Sequence, residues 1–120
     1  MNNNLNVNVV LINTMHNEFL LLLSDIKNCD SDKFMTLFDN IIEYAKDHFK
    51  VEEEIMNIHE FYDTQEYIKG HNRTLYEMQY FYEKAKEVPE FGKSYINDYA
   101  YDKFKRHIVS IDFQLKVFLK

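Results

Sequence analysis

Six side chains able to bind a metal ion interrupt or flank the apolar stripes of this 120-residue chain: His16, His48, Glu52, His71, His107 and Asp112. Tyr67, one turn before His71, is a seventh candidate. His16 falls between Ile12 and Phe19, and His48 and Glu52 fall between Ala45 and Ile55. His71 precedes Leu75, while His107 lies between Phe104 and Ile111 with Asp112 beside that stripe. Taken singly, each has an ordinary reading. A lone His on an apolar face is more often a hydrogen-bonded core residue than a ligand. Glu52 alone would be a solvated member of the run Glu52-Glu53-Glu54, and Asp112 a helix-surface charge. Taken together the balance reverses, because each of these groups in one small core needs desolvation and a partner. A divalent metal supplies that partner to all of them. Nitrogen and carboxylate donors without thiolate favour iron, manganese or zinc over copper(I) or an iron–sulfur cluster. So large a donor set, with two carboxylates in it, exceeds the needs of one ion and suits a carboxylate-bridged pair.

These donors must be positioned by helices. Two glycines and one proline leave little punctuation for a β-rich fold, and what there is falls between long segments of helical period. The first segment, from about Asn8 to Lys27, puts Val9, Ile12, Phe19, Leu20, Leu23 and Ile26 on one face, behind a loose arm of residues 1–7. Ser31 is placed to cap the second, which runs from about Asp32 to Ile58 with Phe34, Leu37, Phe38, Ile41, Ala45 and Ile55 on its stripe. Asp63-Thr64-Gln65-Glu66 has capping-box spacing and opens a third, whose stripe is Leu75, Met78, Phe81, Tyr82 and Ala85 and which Pro89 closes. The fourth begins near Ser94 and carries Ile96, Ala100, Phe104, Ile111, Leu115 and Phe118. Four amphipathic helices with short loops predict an all-α, antiparallel up-down four-helix bundle in one domain, residues 1–120.

Depth along such a bundle matches. Glu52 and His71 are about equally far from the second turn, and His71 and His107 are similarly placed about the third. His48 and Glu52, four apart, point from one face. His107 and Asp112, five apart, diverge by ~140° on an ideal helix, so a metal between them or a π-bulge is needed to bring Asp112 inward. The ferritin-like Glu-x-x-His arrangement is absent, since no Glu stands three residues before a His. His59 matches no ligand position and reads as a surface or helix-end residue.

Composition closes off other classes. A net charge of −6 without a basic stripe argues against nucleic acid. The longest apolar run, Phe19 to Leu23, is far short of a membrane span, and no secretory signal is visible. Cys29 is the only cysteine, which excludes an internal disulfide and fits a reducing cytoplasm. Two glycines allow no phosphate-cradling loop, and no Ser or Cys nucleophile sits in a recognisable elbow.

The order and spacing of the donors resemble the hemerythrin family over most of the chain. His48-Phe49-Lys50-Val51-Glu52-Glu53-Glu54-Ile55-Met56 follows the pattern H-F-x-x-E-E-x-x-M, and His107-Ile108-Val109-Ser110-Ile111-Asp112 follows H-I-x-x-x-D. His16 fits the isolated upstream histidine. The resemblance implies a di-iron centre, oxo- or hydroxo-bridged, with Glu52 and Asp112 as bridging carboxylates. It implies that His16 and His48 bind one iron, which keeps an open position for O2, and that His71 and His107 bind the other. The family's H-x-x-x-H reads here Tyr67-Ile68-Lys69-Gly70-His71, so Tyr stands where a ligand His is expected. A ligating phenolate would favour ferric iron and redox chemistry, whereas a hydrogen-bonding phenol would leave room for water. Phe49, Phe104 and Ile108 are candidates for the apolar oxygen pocket. The expected function is O2 storage, delivery or sensing rather than catalysis, the alternative being a di-iron redox enzyme acting on O2, peroxide or nitric oxide. A third reading is a metal-free or zinc-bearing helical interaction domain. The chain is expected to be a monomer or weak homo-oligomer, and sensing would require a separate protein partner.

Overall fold

The computed structural model describes residues 3–107, 110 and 114, with side chains from residue 10 onward. Among them there are four α-helices and no strand: α1 (Asn3–Lys27), α2 (Phe34–Ile58), α3 (Thr64–Glu87) and α4 (Pro89–Tyr95). A 3-10 turn (Ser31–Lys33) leads into α2. A π turn (Ile96–Ala100) prolongs α4 into helical residues 101–107. Neighbouring helices pack in chain order, α1 on α2, α2 on α3 and α3 on α4, and the π turn returns to touch α1. The molecule measures 51 × 24 × 19 Å.

Heptad-like spacing explains which faces are buried. On α1 the buried residues are Ile12, His16, Phe19, Leu23 and Ile26, alternating steps of four and three. On α3 they are Thr64, His71, Met78 and Ala85, one every seven residues. That stripe is narrow, so Leu75, Phe81 and Tyr82, expected in the core, pack against it only half-buried. On α2 the buried set is broader and includes Phe34, Phe38, Ile41, Ala45, His48, Glu52 and Ile55. Ile96, Ala100 and Phe104 are buried as expected, while Ile111, Leu115 and Phe118 lie outside the described residues.

Helix ends differ from expectation in four places. α1 begins at Asn3, so residues 3–7, expected as a loose arm, are helical. Ser31 caps nothing: it starts the 3-10 turn, and α2 follows Lys33. Asp63 is the N-cap of α3, but its side chain makes no capping bond. Thr64 Oγ1 instead donates to the Phe61 carbonyl at 2.7 Å. Pro89 ends α3 and also opens α4, five residues before Ser94. Proline has no N–H to lose at a first helical position and its φ already suits the helix.

The α2–α3 connection closes as a Schellman motif. His59 is the C-cap, Glu60 takes a left-handed φ of 54°, and the Phe61 N–H reaches back to the Met56 carbonyl at 2.8 Å. Phe61 then packs with Met56, Ile12 and Ile55 in a small apolar cluster. A larger cluster, built around Phe19, Leu23, Phe38, Ala45, Phe49 and Phe104, makes up the rest of the core among the described residues. In sequence His16 falls between members of the two clusters, Ile12 and Phe19, and Glu52 falls between Phe49 and Ile55. A polar layer therefore divides the core.

Candidate metal centre

Glu52 is the centre of that layer. It is 1% exposed, as are His16 and His71, and His48 is 4% exposed. The His16 Nε2–H donates to Glu52 Oε2 at 2.9 Å. The other carboxylate oxygen, Oε1, lies 3.3 Å from His48 Nε2 and 3.4 Å from His71 Nε2. Three helices thus each bring imidazole to one carboxylate: α1 through His16, α2 through His48 and α3 through His71. His48 and Glu52 are a helical i, i+4 pair, which sets both on the inner face of α2. The His16 and His48 rings stack with centroids 4.6 Å apart.

The hydrogen bonding of this layer is incomplete. His71 Nδ1 lies 2.7 Å from Glu53 Oε2. A carboxylate can only accept, so Nδ1 carries a proton, and in the neutral imidazole Nε2 then presents its lone pair to Glu52 Oε1. Both of those atoms, and His48 Nδ1 as well, are buried with no hydrogen-bond partner among the described residues. Buried polar atoms are rarely left so, and two acceptors facing each other repel. A cation between them, whether a proton or a metal ion, removes the conflict. His16, His48 and Glu52 offer ligand atoms that all lie within 4.8 Å of one another, so this buried cluster can hold a metal ion. Two imidazoles and a carboxylate suit zinc, iron or manganese.

Electrostatics agree. Burial alone would raise the Glu52 carboxyl, but the His16 and His48 imidazoles beside it outweigh that and hold it at about 2. Glu52 is therefore anionic in the core. His107 is half-buried, its ring 6.0 Å from that of His71. Burial lowers its imidazole to about 4 against the opposing pull of Glu52. A neutral imidazole is the form that ligates.

Other expected residues lie at the margin of this layer. The Tyr67 hydroxyl donates to Gln114 Oε1 at 2.6 Å, and burial raises its pKa, assisted by Asp63, Tyr62 and Glu52. It is a phenol with its proton committed to Gln114. Asp112 and Ile108 lie outside the described residues. A π turn does occur in the fourth helix, but at Ile96–Ala100, ahead of His107. His59 is the α2 C-cap.

A small cavity of about 10 Å³ adjoins the layer, lined by Phe19, His48, Phe49, Phe104 and His107. It is near the least volume that admits one water-sized molecule. Phe49 and Phe104 are two of the residues the sequence suggests for an apolar pocket; Phe19 lies on the apolar stripe of the first helix, and its i, i+3 relation to His16 is the signal that finds it. Glu53 and Gln114 carried no signal beyond their nearness to the motifs. Among the described residues no helix is long and apolar enough to cross a membrane. Comparison with protein-family models, with curated proteins and with solved structures finds no match to this chain.

Proposed function

We propose that this chain is a hemerythrin-like, antiparallel up-down bundle that holds a pair of iron ions and binds dioxygen. The observation that carries the reading is one buried, anionic Glu52 shared by imidazoles from three helices, with its Oε1 unsatisfied. The cyclic contacts of the helices support the bundle arrangement. His16 and His48 would hold one iron and His71 and His107 the other, with Glu52 between them and Asp112 as second bridge. An iron pair supplies two electrons that can be lent to O2 and recovered.

The chain's own residues do the rest. Glu52, ionised and desolvated, neutralises cationic charge where water cannot. The rings of Phe19, Phe49 and Phe104 line the small space beside His48 and His107 in which one diatomic molecule would sit. At His16 the Nε2 proton now donated to Glu52 would be displaced by a metal, leaving a neutral imidazole with its proton on Nδ1.

The test is to count iron per chain and record the visible spectrum of anaerobically reduced protein before and after air. Two irons and a reversible charge-transfer band are expected. One iron per chain would overturn the pair, and no iron after reconstitution would overturn the whole reading. The Tyr67–Gln114 bond favours one alternative, because it leaves the His71–His107 position a protein donor short. A second exchangeable position suits a redox enzyme acting on O2, peroxide or nitric oxide. Rapid autoxidation with peroxide turnover would mark that case.

A further inference from the structure

We infer that Glu53 is a positioning residue for one half of the centre: its carboxylate fixes the His71 imidazole with Nε2 aimed at Glu52. The inference rests on the metal reading above. Phe49 stacks on His71 with centroids 4.0 Å apart and planes within 2°, which sets the plane of the imidazole. Stacking alone leaves a half-turn about the Cβ–Cγ bond open, and that turn would exchange a ring nitrogen for a carbon. The 2.7 Å bond from Nδ1 to Glu53 Oε2 removes this freedom and selects the tautomer. The bond spans α2 to α3, so the helix that carries Glu52 also orients the ligand that faces it.

Burial separates Glu53 from an ordinary surface acid. Its side chain is 25% exposed and its partner's is 1% exposed, whereas neighbouring Glu54 is exposed. A half-buried carboxylate accepting from a ligand's outer N–H makes the imidazole a stronger donor, and losing such a partner costs about 10–100-fold in metal affinity. His16 and His48 have no such link to Glu53 among the described bonds, so the effect is confined to the His71 side.

Anaerobic titration of wild type, Glu53→Ala and Glu53→Gln with cobalt(II), followed by its ligand-field absorption, tests this. Wild type is expected to take two cobalt ions. Glu53→Ala should weaken the second about 10–100-fold and leave the first, with its spectrum, unchanged. Glu53→Gln keeps an acceptor oxygen and should recover most of the loss. A Glu53→Ala titration like wild type, even with a lower melting temperature, would reduce the bond to fold stability and overturn the inference. So would Glu53→Gln binding no better than Glu53→Ala. Wild type binding one cobalt would overturn both the pair and the role of Glu53. Wild type binding none would overturn the metal reading itself, a result distinguishable from the others.

Discussion

The charge on His107 sets how the metal-free protein responds to acid. Burial lowers the imidazole from its ordinary 6.5 to about 4; Glu52 opposes the shift, and His71, His16 and His48 add to it. The unfolded chain then binds more protons than the folded one between those values, so stability is full above pH 6.5 and falls as pH drops through 4. Glu52 acts lower. Its carboxyl goes from 4.5 to about 2, so its contribution is held above pH 4.5 and lost as pH falls through 2. Urea unfolding in the presence of chelator should show two successive losses, and His107→Asn should abolish the upper one alone. A flat profile between pH 6.5 and 4 would contradict a neutral His107. His16, His48, Glu52 and His71 were legible in sequence because each interrupts an apolar stripe. Glu53 was not, since in an acidic run nothing distinguishes the member that turns toward a neighbouring helix.

Helices were legible where period is long, and less so where ends depend on tertiary contacts. The α3–α4 corner shows why. A Cβ on Gly92 would sit 2.7 Å from Ala85 Cβ and 3.0 Å from Phe34 Cε1, so only glycine lets α4 fold back this closely. Alanine there gains about 1 kcal/mol of helix propensity but meets an overpacking cost of about 1–3 kcal/mol. Gly92→Ala should therefore destabilise by about 1 kcal/mol in chemical denaturation, with partial recovery on adding Ala85→Gly. A neutral Gly92→Ala would mean the helices sit further apart. Sequence alone weighs Gly92 as a helix breaker, which is why the fourth helix was expected to begin after it rather than at Pro89. Similarly, Asp63 has the chemistry of a cap, but Thr64 takes the loop carbonyl and leaves Asp63 with the position only.

At the scale of the molecule, a polar layer between two apolar clusters leaves unsatisfied groups among the described residues, which a bound cation would relieve. A ligand present at about 100 times its dissociation constant stabilises the folded state by about 2.7 kcal/mol. For a chain of this size that corresponds to a rise in melting temperature on the order of 10 °C. Anaerobic iron(II) or cobalt(II) should produce it, chelator should reverse it, and Glu52→Gln should lose most of it. A melting temperature indifferent to metal would argue that the layer is structural only. The division of the core was foreseeable from where the stripes break. The sizes of the two parts were not, because the Schellman turn brings in Phe61 from outside any helix.

The π turn at Ile96–Ala100 absorbs one residue without advancing the helix. The side chains of residues 101–107 beyond it therefore lag by about 100° behind an unbroken α-helix. On an unbroken helix the direction now taken by His107 would belong to Arg106, which is exposed. A guanidinium there would face the buried carboxylate as a permanent cation and satisfy it outright. One residue of slack thus decides whether an arginine or a neutral imidazole faces the layer.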